Sequence, residues 1–161
     1  MKRPLLAFAL TCATLGLGAC GETAAPTPEA GAQAGIPGMT ITNPRMVLAP
    51  VAGNPAAVYF DLAYDGDRNV ALKGEGEVEG TKSAMFHDYG EYDFKVQMMD
   101  MLPVPLKNGD RIAFEPGGKH LMAMDPDASL QPGGTAKVTI MVSGGGRQTF
   151  DAPIRAAGED R

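Results

Sequence analysis

The sequence predicts an all-β fold, a single β-sandwich or Greek-key barrel, and three observations carry that prediction. Short segments alternate apolar and polar residues with a period of two, as half-buried strands do. Val58, Phe60, Leu62 and Tyr64 form one such row, with Tyr59, Asp61 and Ala63 facing the other way. Val138, Ile140 and Val142 form another, opposite Thr139, Met141 and Ser143. Between the segments lie turn clusters at Asn54-Pro55, Asp65-Gly66-Asp67, Asn108-Gly109-Asp110, Pro116-Gly117-Gly118 and Pro132-Gly133-Gly134. Beyond the first few residues, no window carries an apolar stripe at helical spacing. Strands at this density suit a sandwich or barrel of one domain.

The N-terminal stretch reads as an address. Lys2 and Arg3 give a positive start, and Leu5 to Leu17 form an apolar run broken only by Thr11, Thr14 and Gly16. Leu17-Gly18-Ala19-Cys20 then supplies small residues ending in cysteine. This is the layout of a bacterial secretion signal, and its last residues resemble a lipobox, where lipoproteins are cleaved and lipidated on the new N-terminal cysteine. Residues 1–19 are therefore expected to be a signal peptide and Cys20 the lipidation site, with ordinary cleavage near Ala19 as the alternative. The apolar run is shorter than the roughly 20 residues a spanning helix needs. Removal of the signal takes Cys12 with it, so Cys20 alone remains and no internal disulfide can form.

Residues 20–38 are rich in Ala, Pro and Gly and read as a flexible tether behind the lipidated cysteine. Residues 39–157 form the expected β domain, and residues 158–161 a frayed tail. Without Lys2 and Arg3 the chain holds 12 basic and 19 acidic residues, a net charge of −7. Such a body is a poor nucleic-acid binder, which would need clustered Lys and Arg. It favours the approach of cations at long range.

The residues that carry chemistry are concentrated. The chain has two histidines, His87 and His120, and ten methionines. Six of the methionines, Met85, Met98, Met99, Met101, Met122 and Met124, fall within residues 85–124 together with both histidines. Thioether sulfur is a soft neutral donor and imidazole a borderline one, a set suited to Cu(I). Zinc sites use Cys, His or carboxylate, and a blue-copper centre needs a Cys thiolate beside two His. The only cysteine left, Cys20, stands at the far end of the tether.

His120 and Met122 lie two apart in an alternating segment, so on a strand they share a face and can reach one ion. Met124 continues the row, as a spare ligand or the lip of a site. His87 ends the apolar Ala84-Met85-Phe86 and precedes the turn-like Asp88-Tyr89-Gly90; Met98 closes the segment from Phe94. Spacing alone does not decide whether His87 and Met98 approach His120. Met85, Met99 and Met101 read as core filler. Asp88, Asp125 and Asp127 are candidate partners for imidazole N–H groups, against the simpler reading of solvated loop charges. Tyr59 and Tyr64 read as barrel residues.

Taken together, His87, Met98, His120 and Met122 spell H-x10-M-x21-H-x-M, and this pattern resembles the signature of the PCu(A)C family of periplasmic copper chaperones. Glu115-Pro116-Gly117-Gly118-Lys119-His120-Leu121-Met122 looks like the family's Pro-Gly-Gly-x-His-x-Met segment, and Val51 to Phe60 resembles its first strand region. The resemblance spans about residues 40–155. It implies a cupredoxin-like β-barrel, one Cu(I) held by His87, Met98, His120 and Met122, and delivery to an acceptor in cytochrome c oxidase copper-site assembly. A monomer in the periplasm, touching the membrane only through its N-terminal lipid, is expected. Gly21 after Cys20, in place of Asp, leans toward the outer membrane. Two departures stand out: many members carry Met where this chain has Tyr89, and residues 151–161 lack the His/Met tail of some members. One copper per chain is expected.

Two other readings compete with delivery: a copper buffer without a dedicated client, and a metal-free envelope lipoprotein that binds a partner through a β surface. An enzyme fits least well, because one fully ligated ion leaves no open position for substrate. Since imidazole must be unprotonated to bind, the resemblance also implies Cu(I) affinity falling below about pH 6.5.

Overall fold

The computed structural model describes residues 35–159. The expected signal peptide, the lipidation of Cys20, the tether before Gly35 and the last two residues lie outside the described residues. Ten strands and no helix make up the described chain: β1 (Met39–Val47), β2 (Ala56–Tyr64), β3 (Val70–Val78), β4 (Ser83–Tyr92), β5 (Lys95–Asp100), β6 (Val104–Leu106), β7 (Asp110–Phe114), β8 (His120–Met124), β9 (Thr135–Val142) and β10 (Arg147–Arg155). The all-β, single-domain expectation holds.

The strands form one sheet in the order β5-β4-β8-β2-β1-β10-β9-β3-β6, and β7 pairs with β2 beyond the end of β8. Pairing of β3 with β4, at Glu75 opposite Met85 and Gly76 opposite Ala84, brings the sheet round on itself. All ladders are antiparallel except β1 with β10. The two rows read from alternation are real: β2 buries every second residue from Ala56 to Tyr64, and β9 buries Ala136, Val138, Ile140 and Val142. At the centre Phe60 stacks on Phe114 with ring centroids 4.4 Å apart and meets Phe86 and Phe150 at 6.3 and 5.1 Å.

Two local expectations need correction. Asp88-Tyr89-Gly90 is not a turn; β4 continues through it to Tyr92 and pairs with β5 from His87 onward. The reversal falls at Asp93-Phe94, both with positive φ (50° and 58°). That is the backbone of a two-residue hairpin turn whose twist matches its strands, built here without the usual glycine. A Cβ at Gly90 would meet only the flexible end of the exposed Met99 side chain. Phe94 stands at the hairpin tip, 95% exposed.

The packed body also begins before residue 39. Ile36 is only 6% exposed, joins the core, and its N–H donates to the Gln148 side chain at 3.0 Å. A single isoleucine between Gly and Pro shows no periodicity, so the tether's composition hid it. Ile36→Ala is expected to cost about 2 kcal/mol, the low end for a buried Ile→Ala because the site is near the rim. Urea unfolding should show a lower midpoint at unchanged slope.

Candidate metal centre

Strand parity sets the site. Phe86 on β4 and Leu121 on β8 point into the core, both fully buried, so His87 and His120, one residue away on each strand, project from the other face. The β4–β8 register places these two histidines directly opposite each other. Their rings meet edge to face with centroids 5.8 Å apart. The β4–β5 hairpin then brings in the third residue. Met98 lies opposite Tyr89 and Asp100 opposite His87, so both share the histidine face.

The contacts define the proton positions. Nδ1 of His120 lies 2.9 Å from the Gly118 carbonyl oxygen; a carbonyl only accepts, so this nitrogen carries the hydrogen. In the neutral ring Nε2 is then bare, and it faces the Met98 sulfur at 3.2 Å. A thioether has no hydrogen to give, so two lone pairs face each other. His87 repeats the logic. Its Nε2 lies 3.0 Å from the Asp100 carboxylate, which takes the N–H and leaves Nδ1 bare. That Nδ1 is buried with no hydrogen-bond partner among the described residues. A buried polar atom without a partner costs about 1–3 kcal/mol, and such atoms are few in native proteins. Bare imidazole nitrogen on both rings, with a thioether against one of them, is a donor set that fits a soft cation of low coordination number.

Enclosure supports the same use. His120 is only 5% exposed, with the Tyr59 and Tyr89 rings at 6.3 and 6.0 Å. Met98 is the accessible member, 43% exposed on the edge hairpin. Among the described residues no three of His, Cys, Asp and Glu converge as a metal-holding group.

Of the four residues singled out in the sequence, His87, Met98 and His120 converge through these contacts. Met122 shares their face, two residues along β8 from His120, and pairs across β4 with Met85 and across β2 with Ala57. Other sequence readings change. The carboxylate on imidazole is Asp100, not Asp88, Asp125 or Asp127. Asp88 instead receives the Lys119 ammonium at 2.7 Å and the Tyr89 N–H at 2.8 Å. Burial alone would raise its carboxyl, and the lysine and the N–H outweigh that and hold it below the usual range. Asp125 pairs with Lys82 and Asp127 accepts from Ser129 N–H. Met101 is core, as expected, whereas Met99 is exposed and Met85 lies half-buried on the histidine face. Tyr59 belongs to the wall of the site. Asp100, Tyr89 and Met85 follow from parity only once the hairpin pairing is known; the apparent turn at Tyr89 concealed it.

Comparison with known proteins bears on the fold and the family. The family model described as "Putative lipoprotein LpqE-like" matches residues 39–154. No curated protein matches the chain in sequence. Among solved structures, the copper-bound PCuAC domain from PmoF2 aligns with 74% of this chain and 93% of its own, at 22% identity and a TM-score of 0.58. The apo PCuAC domain from PmoF1 gives 23% identity over 74% and 94%, with a TM-score of 0.59. The Cu(I) form of DR1885 from Deinococcus radiodurans gives 22% over 82% and 87%, at 0.57. At these identities the likeness is one of fold, and it is that of PCuAC domains.

Proposed function

The chain belongs to the LpqE-like family, and from that premise we propose that it is an extracytoplasmic carrier of one tightly bound Cu(I), the ion being cargo. The observation that carries the reading is the 3.2 Å approach of the bare His120 Nε2 to the Met98 sulfur, with the His87 ring, whose Nδ1 has no partner among the described residues, 5.8 Å away centroid to centroid. His87, Met98, His120 and Met122 are the proposed ligands. The copper named in the titles of the similar PCuAC structures supports the same assignment.

Release follows from the placement of the ligands. Both histidines sit on inner strands of the sheet, walled by tyrosine, while Met98 lies on an exposed edge. An acceptor's soft donor displaces Met98 first, and the neutral thioether leaves without a proton. We assign delivery to copper-site assembly in cytochrome c oxidase as the client process. Loss of oxidase activity at low copper on deleting the gene supports delivery; copper sensitivity alone supports buffering instead. The Cys20 lipid would hold the domain at the periplasmic face of a membrane, the outer membrane being favoured by Gly21. No described helix is long and apolar enough to cross a membrane.

The test is titration of the full-length chain with Cu(I) under anaerobic, reducing conditions against a competing chelator. Tight uptake of a first equivalent is expected, and no uptake would leave a metal-free envelope protein as the reading. Asp100→Asn gives a second, graded check. The carboxylate orients the His87 ring, and partners of this kind typically contribute 10–100-fold to metal affinity. A loss of about that size is expected for Asp100→Asn; unchanged affinity would remove His87 from the ligand set. Acid should weaken binding as well, because both imidazoles must be unprotonated to bind. Equal affinity at neutral and acid pH would contradict a two-histidine site.

A further inference from the structure

The face that carries the histidines continues past them. Met85 lies two residues before His87 on β4, Met122 two residues after His120 on β8, and the register sets Met85 and Met122 directly opposite each other. Met124 occupies the next position on the same face, opposite Ser83. All three are half-buried, although this face is turned away from the core that buries Ala84, Phe86, Leu121 and Ala123. Directly opposed residues have Cβ atoms about 4.5–5.5 Å apart, and diagonal ones about 7–8 Å. Methionine has three rotatable bonds and a polarizable sulfur at mid-chain, so three thioethers at these positions can converge on one point.

Their surroundings suit a cation. The register neighbour of Met85 on β3 is Glu75, that of Met122 on β2 is Ala57, and that of Met124 on β4 is Ser83. Glu75 is the one charge among these register neighbours, and Lys82, which lines the same pocket as Met85, pairs with Asp125. Core filling, the ordinary use of methionine, does not account for three of them side by side on the outer face.

We propose that Met85, Met122 and Met124 form a second Cu(I) station, made of thioether sulfur alone, next to the histidine pair. The proposal rests on reading the histidine pair as a Cu(I) site. Three neutral soft donors hold Cu(I) or its analogue Ag(I) and discriminate against zinc, which takes Cys, His or carboxylate. Met122 borders both stations: with one ion bound it completes the histidine site, and with both filled it turns to the thioether station while His87, His120 and Met98 keep the first ion. Movement between them is ligand exchange only: the Cu–N bonds to His87 and His120 and the Cu–S bond to Met98 break, Cu–S bonds to Met85 and Met124 form, the bond to Met122 is kept, and no electron or proton is transferred. Without imidazole the station is the weaker of the two and fills second.

The experiment is anaerobic Cu(I) titration of the full-length chain, with Ag(I) titration followed by NMR of 13C-methyl methionine. The parent is expected to take two equivalents, the second more weakly, with the Met85 and Met124 methyl signals moving during the second. Met85→Leu/Met124→Leu should keep the first equivalent and lose the second. Leucine for methionine conserves volume well, and the retained first equivalent reports that the fold is intact. His87→Ala/His120→Ala should lose the tighter equivalent while Ag(I) still shifts the Met85 and Met124 methyls. A parent that takes a single equivalent, lost in the histidine variant, overturns the second station and leaves the first. A second equivalent that survives Met85→Leu/Met124→Leu overturns it too. Uptake insensitive to the histidine variant but abolished by the methionine variant overturns the histidine reading instead, and no uptake at all overturns both.

Discussion

His120→Ala is expected to weaken binding of the first Cu(I) by more than about 100-fold, since losing even an orienting partner of a metal ligand costs 10–100-fold. His120 is the geometric hub of the site: it faces His87 across β4–β8, touches Met98 through Nε2, and is fixed in tautomer by the Gly118 carbonyl. The carbonyl comes from the Pro116-Gly117-Gly118 turn, in which Gly117 adopts a φ of +82° with open space around it. The turn thus does two jobs, starting β8 and choosing which imidazole nitrogen is left bare. Competition with a Cu(I) chelator measures the effect. Retention of parental affinity would show that the first ion binds elsewhere.

The largest loss of stability is expected from Phe60→Ala, about 3–5 kcal/mol. Phe60 has no exposed surface and touches Phe86, Phe114 and Phe150, so truncation leaves a cavity among rings that β-strand backbones prevent from collapsing. Urea unfolding should register it as a large drop in midpoint. The proposed metal site lies on the opposite face of the same strands, with Tyr59 next to Phe60 and His87 next to Phe86. Cu(I) should therefore still bind the folded variant, and at a free concentration of 100 Kd it should restore about 2.7 kcal/mol. A Phe60→Ala protein as stable as the parent would mean that this aromatic cluster is not the core.

The fold was legible where one face is buried and the other wet. β2 and β9 show it: their alternation is dictated by a core on one side, and the structure buries the residues that alternation nominated. β5 was harder to place. Every residue of Lys95–Asp100 is exposed, so no pattern marks it as the partner of β4, and its turn at Asp93-Phe94 lacks the glycine that would announce it. Both features hid the route by which Met98 and Asp100 reach the histidines. His120 and Met122 could be placed on one face from a two-residue spacing, whereas the approach of His87 depends on a β4–β8 pairing between strands separated by three others in sequence. Long-range register is set by the whole core, not by local residues. Asp88 was weighed as an imidazole partner against a solvated loop charge; next to His87 on one strand it points to the opposite face and pairs with Lys119 instead.

The account's central claim is that imidazole from His87 and His120 and thioether from methionine hold the same ion. X-ray absorption of the full-length chain loaded with one equivalent of Cu(I) tests it most directly. The account predicts a mixed shell containing both imidazole nitrogen and sulfur, with the imidazole scattering lost in His87→Ala/His120→Ala. A first shell of nitrogen and oxygen without sulfur, or of sulfur without imidazole, would contradict it.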